Sequence, residues 1–159
     1  MLIRKAHAGD CGAICALFQQ VDALHVAGRP EMFQTPAQPF RTPESIQALL
    51  IRPSDALFVA VLDEVVVGAA WLITRTAPDL PIFVPRRIAV VETLAVDEAA
   101  RRQGVGRALM EYIEQWATEN GCYELQLLVH YFNTGAREFY ANLGYEVVEQ
   151  RLRLPLHRG

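Results

Sequence analysis

Between Val91 and Ala108 the chain reads VETLAVDEAARRQGVGRA, and the residue types there suit anion chemistry. An apolar, β-branched run from Ile88 to Val96 has the character of a buried strand and carries one carboxylate, Glu92, in its middle. A polar elbow from Asp97 to Gln103 follows, then Gly104-Val105-Gly106. Apolar residues at Val105, Ala108, Leu109, Tyr112, Ile113 and Trp116 then share one face of a helix. In a strand–glycine–helix turn the first helical N–H groups lack internal partners and lie at the positive end of the helix dipole. Glycine removes the Cβ that would keep a phosphate away. Arg101, Arg102 and Arg107 add full charges. These features predict a phosphate or pyrophosphate site over Arg101, Arg102, Gln103, Gly104, Val105 and Gly106, with Arg107 adding charge beside it. The plainer alternative is an ordinary turn with solvated arginines. Glu92, flanked by Val90, Val91 and Leu94, is expected to be partly desolvated, with a raised pKa suited to a general base; otherwise it faces water or pairs with an arginine.

Other phosphate and catalytic motifs fit less well. A P-loop needs a Lys followed by Ser or Thr after its glycines, and the only lysine is Lys5. A dinucleotide fingerprint needs a third glycine where Leu109 stands, and the acidic Glu124 falls inside a strand pattern. The only serines, Ser45 and Ser54, lack the nucleophile-elbow context. The three cysteines have no histidine spacing for zinc and read as free, buried thiols in a reducing compartment. No metal is expected.

The spacing Arg101-x-x-Gly104-x-Gly106, after Leu94-Ala95-Val96, resembles the acyl-CoA motif of the GNAT superfamily of N-acyltransferases. A second match is Asn133-x-x-Ala136-x-x-Phe139-Tyr140-x-x-Leu143-Gly144-Tyr145. The likeness is best between residues 88 and 147. It implies a GNAT fold of the α/β (α+β) class: a mixed, strongly twisted sheet of about six to seven strands, flanked by about four helices. The fourth and fifth strands would splay apart, between residues 88–96 and 123–129, to admit the cofactor. The resemblance further implies acetyl-CoA as cofactor, held by the backbone of Leu94, Ala95 and Val96, the 101–107 turn, Asn133, Ala136 and Tyr140. Glu92 would be the catalytic base and Tyr140 the acid that meets the CoA sulfur. Tyr140 could instead be one more aromatic on a buried helix face.

The acceptor side would come from residues 29–41 and 76–87, with Phe33, Phe83 and Glu92 as candidate substrate contacts. Those loops hold several arginines and few acids, which suits a polyamine or aminoglycoside poorly. The expected activity is transfer of an acetyl group to a primary amine of a small molecule or peptide; a CoA-binding or sensing module without turnover is the alternative.

Size and composition bound the rest. With 159 residues and 52% apolar content, the chain suits a single domain, 1–159, with a real core. Its net charge of −3 disfavours nucleic acid as partner. Its longest apolar run, Val65 to Ile73, is too short to span a membrane, and the polar start argues against a signal peptide. A cytoplasmic enzyme is expected. The remaining pattern predicts a first strand at Leu2 to Lys5, a helix capped by Asp10, a proline-rich loop from Gly28 to Pro43, and a helix capped by Thr42. A hairpin over residues 56–74, a strand at 123–129, a helix at 133–142 and two closing strands over 145–156 follow. The edges of those last strands suggest a homodimer.

Overall fold

The structure is a computed structural model and describes residues 1–156. The chain divides into two compact units, Met1–Leu128 and the residues from Val129 onward. The first contains a five-stranded sheet in the order β1 (Leu2–Lys5), β2 (Asp55–Leu62), β3 (Val65–Thr76), β4 (Arg87–Val96), β5 (Glu124–Leu127). The first three pairings are antiparallel and β4 with β5 is parallel. A parallel pair needs a long crossover; here it contains helix α3 (Val105–Glu119). Helices α1 (Cys11–Gly28) and α2 (Pro43–Leu50) lie between β1 and β2 in sequence.

The sheet is covered on both faces, which is why Leu57, Phe58, Val59 and Ala60 are all buried in one uninterrupted run. Leu57, Val59, Ala69 and Ala95 join Ile14, Leu17 and Phe18 of α1 and Ile46 and Leu49 of α2 in one apolar cluster. On the other face, Phe58 meets the rings of Tyr112 and Trp116 of α3, each at 5.4 Å. The β2–β3 hairpin turns on Asp63 and Glu64, both at positive φ (48° and 64°), the conformation that matches the twist of paired strands. Thr42 caps α2 as its sequence predicts, accepting from Ser45 N while Ser45 Oγ accepts from Thr42 N. Asp10 departs from expectation. It precedes α1 but makes no side-chain cap to it. Its buried carboxylate instead takes two bonds from Arg4, at 2.7 and 2.9 Å, and one from His7 N. The Arg4 bonds are the main reason its pKa falls below the ordinary carboxylate value.

The second unit holds α4 (Thr134–Asn142), started by Asn133, whose side chain accepts from Ala136 N, and stopped by Gly144 at φ 90°. The two closing strands expected over 145–156 are not formed, so the sheet has five strands, not six or seven. A strand exists only where its backbone finds a ladder partner and one face is covered. Here Val147 and Val148, neighbours that would point to opposite faces, are equally exposed. Among the described residues no helix is long and apolar enough to cross a membrane.

One close contact sets the height of α3 above the sheet. A Cβ on Gly68 would sit 2.9 Å from Val105 Cγ1 and 3.0 Å from Leu109 Cδ1. Gly68→Ala should therefore push the first turn of α3 outward and destabilise the fold by about 1–3 kcal/mol, the usual cost of overpacking. Adding Val105→Ala should recover part of the loss. Chemical denaturation of the single and double variants checks this; strictly additive losses would place the strain elsewhere.

Candidate active site

Strand β4 pairs with β3 along its whole length, but its parallel pairing with β5 runs only from Ile88 to Val91. From Glu92 to Val96 the β5 side of the strand has no ladder partner among the described residues. The ladder between these two strands ends because β5 ends at Leu127, and this leaves a strip of β4 backbone able to hydrogen-bond an extended amide-bearing chain. Glu92 stands where the strip begins. Thr93 pairs with Trp71 and Val91 with Leu72, so Glu92 is the extra residue of a β-bulge. A bulge re-aims a side chain out of the regular alternation. The carboxylate is accordingly exposed between buried Val91 and buried Thr93. The desolvation expected from its apolar sequence neighbours is absent, because those neighbours turn into the sheet's covered faces while the bulge turns Glu92 out.

The elbow after β4 is held by several bonds. Asp97 Oδ1 accepts from Ala99 N at 3.0 Å, starting a short 3-10 turn over Glu98–Ala100. Its Oδ2 accepts from Gln20 Nε2 of α1 at 3.1 Å. Arg101 Nε reaches back to Val96 O at 3.2 Å, and Gln103 Nε2 donates to Ala99 O. Arg102 and Gly104 both adopt left-handed φ, 61° and 82°, and Gly104 is the N-cap of α3. Among the described residues no side chain caps this helix. Its first turn, Val105-Gly106-Arg107, thus offers uncapped amides next to exposed Arg101, Arg102 and Arg107, with Val105 buried beneath. A Cβ at Gly104 would meet nothing within contact distance, so the glycine answers to the left-handed backbone and leaves space in front of the amides.

The sequence pattern located the glycine turn and Glu92, but not three residues that position them. Gln20 and Asp97 join α1 to the elbow, and Gly68 seats α3. Asp97 had a readable cap signal; the long-range partners had none.

Of the acceptor-side candidates, Phe33 is half-buried with its ring 5.2 Å from His25, and Phe83 is exposed in a loop closed by Ala77 N donating to Arg86 O. The acids in these loops are few, and Glu31 is already paired with Arg29.

In the second unit, Asn133 caps α4 through Ala136 N at 3.1 Å. Tyr140 lies between Phe139 and Tyr145, ring centroids 5.1 and 5.6 Å away. Burial pushes its phenol up to about 12, so the hydroxyl keeps its proton at neutral pH. A raised folded-state pKa contributes stability in full below the unfolded value near 10, and that contribution is lost as pH rises toward the folded value. Wild-type stability should therefore fall across roughly pH 10–12, and Tyr140→Phe should flatten that fall. Equal alkaline slopes in denaturant titrations of the two proteins would show that another group is responsible.

Comparison with known proteins agrees with this geometry. Residues 18–145 match the acetyltransferase (GNAT) family. An uncharacterised N-acetyltransferase of Bacillus subtilis, YhfO, is 27% identical over 146 residues, covering 92% of this chain and 90% of the relative. A tetramutant of the BH1408 protein of Bacillus halodurans superposes with a TM-score of 0.92 at 29% identity, covering 98% of this chain and all of the other. The aminoglycoside N-acetyltransferase AAC(6')-Iy in complex with CoA shares the fold, with a TM-score of 0.74 at 20% identity over 97% of this chain and 93% of the other. The open strip of β4, the uncapped glycine turn and the match across both units together place this chain in the GNAT acetyltransferase family.

Proposed function

We propose that the protein is an acetyl-CoA-dependent N-acetyltransferase acting on a primary amine of a small molecule or peptide, as a single domain over residues 1–159. The observation that carries this reading is the uncapped N-terminus of α3 directly after the half-open strand β4. It joins a place for a pyrophosphate to a strip of backbone for the amide arm of the cofactor. Bound acetyl-CoA would supply a thioester whose acyl carbon the amine attacks, forming a C–N bond as the C–S bond breaks. The Val105, Gly106 and Arg107 amides, with Arg101, Arg102 and Arg107, would hold the pyrophosphate. Arg101 also braces the turn through Val96 O, whose second lone pair stays available. The backbone of Leu94, Ala95 and Val96 would align the amide arm, and an N–H near Leu94 would face the carbonyl oxygen as charge develops there.

An ammonium has no lone pair, so the acceptor must first lose a proton. Glu92, exposed at its bulge, would take that proton directly or through water. For Tyr140 the support is its sequence motif, with Asn133 and Ala136 as further cofactor contacts. A phenol pushed up to about 12 is a poor source of a fully transferred proton to a thiolate, whose ordinary thiol pKa is about 8.5. Its role is therefore hydrogen-bond donation to the departing sulfur. The scarcity of free acids near Phe33 and Phe83 supports a monocationic amine over a polyamine or aminoglycoside.

A homodimer and a cytoplasmic location belong to the same reading. The exposed Val147, Val148, Leu152, Leu154 and Leu156 support the first, and free Cys11, Cys15 and Cys122 the second. A monomer mass by light scattering at high concentration would remove the dimer, and cell fractionation tests the location.

Acetyl-CoA should raise the melting temperature and a panel of amines should release CoA. Gly104→Glu, which adds a side chain and a negative charge in front of the amides, should abolish the thermal shift. Unchanged affinity in a folded Gly104→Glu protein would move the phosphate site elsewhere. Binding without CoA release from any amine would favour a sensing module.

The roles of Glu92 and Tyr140 separate by conservative substitution. Tyr140→Phe should lower turnover about 10²-fold or more while acetyl-CoA binding barely moves. A near-wild-type rate would leave Tyr140 as packing only. Glu92→Gln should flatten the acid limb of the rate–pH profile and be partly rescued at high pH, where more amine is neutral; an unchanged limb would leave water as the acceptor.

A further inference from the structure

A second concavity lies at the opposite end of the sheet from the glycine turn. Its volume is about 240 Å³, and its walls include Lys5, Asp55, Thr74, Arg87, Trp116 and Asn120. The residues come from strand and helix ends. Lys5 closes β1, Asp55 opens β2, Arg87 opens β4, and Trp116 and Asn120 stand at the C-terminal end of α3. Arg87 is the first and Val96 the last of the ten residues of β4. At roughly 3.3 Å per residue the strand sets this cavity about 30 Å from the candidate active site.

The charges in it are unevenly satisfied. Asp55 is hydrogen-bonded by neutral donors, Oδ1 accepting from Trp71 Nε1 at 2.6 Å and Oδ2 from Ser54 Oγ at 2.8 Å, so its negative charge still offsets one of the cations. Lys5 and Arg87 have no carboxylate partner among the described residues, and the one side-chain bond Arg87 makes is a long one, Nη2 to Thr74 Oγ1 at 3.3 Å. Two cations on a flat surface would simply be solvated. Two that line one concavity with a single carboxylate leave a net positive charge there, which a small anion neutralises. An ammonium and a guanidinium on the wall of one cavity supply a point charge and a planar fork of donors, the pair of shapes that a carboxylate or phosphate accepts. The volume falls below the range of about 300–1,000 Å³ that takes drug-sized ligands. A full nucleotide would not be enclosed.

We infer that this cavity is a binding site for a small anion, a carboxylate or a phosphate group, held between Lys5 and Arg87. The site is independent of the acetyltransferase reading and does not require it. Its chemistry suits a small acidic metabolite, and it sits where β4 and α3 have their far ends.

The test uses the only two tryptophans of the chain, Trp71 and Trp116. Trp116 lines the cavity and Trp71 is bonded to Asp55. The whole protein, labelled with ¹⁵N, is titrated with inorganic phosphate and, separately, with malonate while the indole N–H signals are followed. The expected result is a saturable shift of the Trp116 signal with at least one probe. The probe with the lower half-saturation identifies the head group. In the Lys5→Ala/Arg87→Ala double variant the half-saturation should rise at least tenfold. Both side chains are exposed, so the fold should survive, and near-wild-type dispersion of the other amide signals verifies that. Arg101→Ala, at the distant glycine turn, should leave the titration unchanged. A linear drift with both probes, the same saturation in the double variant, or loss of the shift in Arg101→Ala would each overturn the proposal.

Discussion

Every backbone N–H and C=O of β4 needs a partner, and beyond Val91 the sheet supplies partners on one side only. That half-satisfied strand is the constraint on which the rest of the first unit depends. Its β3 side must be rigid, and the nine aligned pairs from Gly68↔Val96 to Thr76↔Arg87 make it so. Its β5 side is open beyond Val91, because the parallel partner is only four residues long. An unpaired edge inside a sheet is normally a liability. Here it is tolerable because the open stretch is only five residues long and bulged at Glu92.

The glycine turn has the complementary arrangement, a set of donors with no side-chain cap among the described residues. Uncapped helix amides are useful only if the helix start is fixed in space. Three contacts from different parts of the chain fix it. Gly68 lets Val105 and Leu109 come down onto the sheet. Arg101 ties the elbow to Val96 O. Gln20 ties Asp97 to α1, across 77 residues of sequence. The arginines that look in the sequence like a uniform positive cluster thus divide their work: Arg101 spends a donor on the scaffold, while Arg102, at positive φ, belongs to the turn's backbone shape. A similar division holds at the N-terminus. There Asp10 serves Arg4 and His7 rather than α1, and the first strand is fastened to the first helix by a buried ion pair.

Much of this architecture was legible along the chain. The glycine turn, the amphipathic face of α3, the Thr42-Pro43 start of α2 and the Asn133 start of α4 are local patterns. Hydrogen bonds within three or four residues and side-chain periodicity suffice to specify them. The family motif added the expectation of an opening between β4 and β5, which no periodicity implies; the opening seen is the stretch of β4 beyond the end of β5. The closing strands over 145–156 are the counterexample. Their residues have strand character, but strand character is a property of a covered face and a paired backbone, and Val147, Val148 and Leu152 have neither a covered face nor a ladder.

The sequence by itself determined which groups are available: a carboxylate in an apolar strand, glycines ahead of a helix, arginines around them and a tyrosine in a helix. Only the tertiary structure decided how those groups are presented. A one-residue bulge, set by the register of β3 against β4, turned Glu92 from a desolvated position to an exposed one. The same long-range register placed Gly68 under Val105, and the far ends of four strands and a helix brought Lys5 and Arg87 around one cavity. Register, close approach and charge convergence all depend on residues many positions apart. Local composition cannot encode them, because the energy that selects them appears only when the elements pack together.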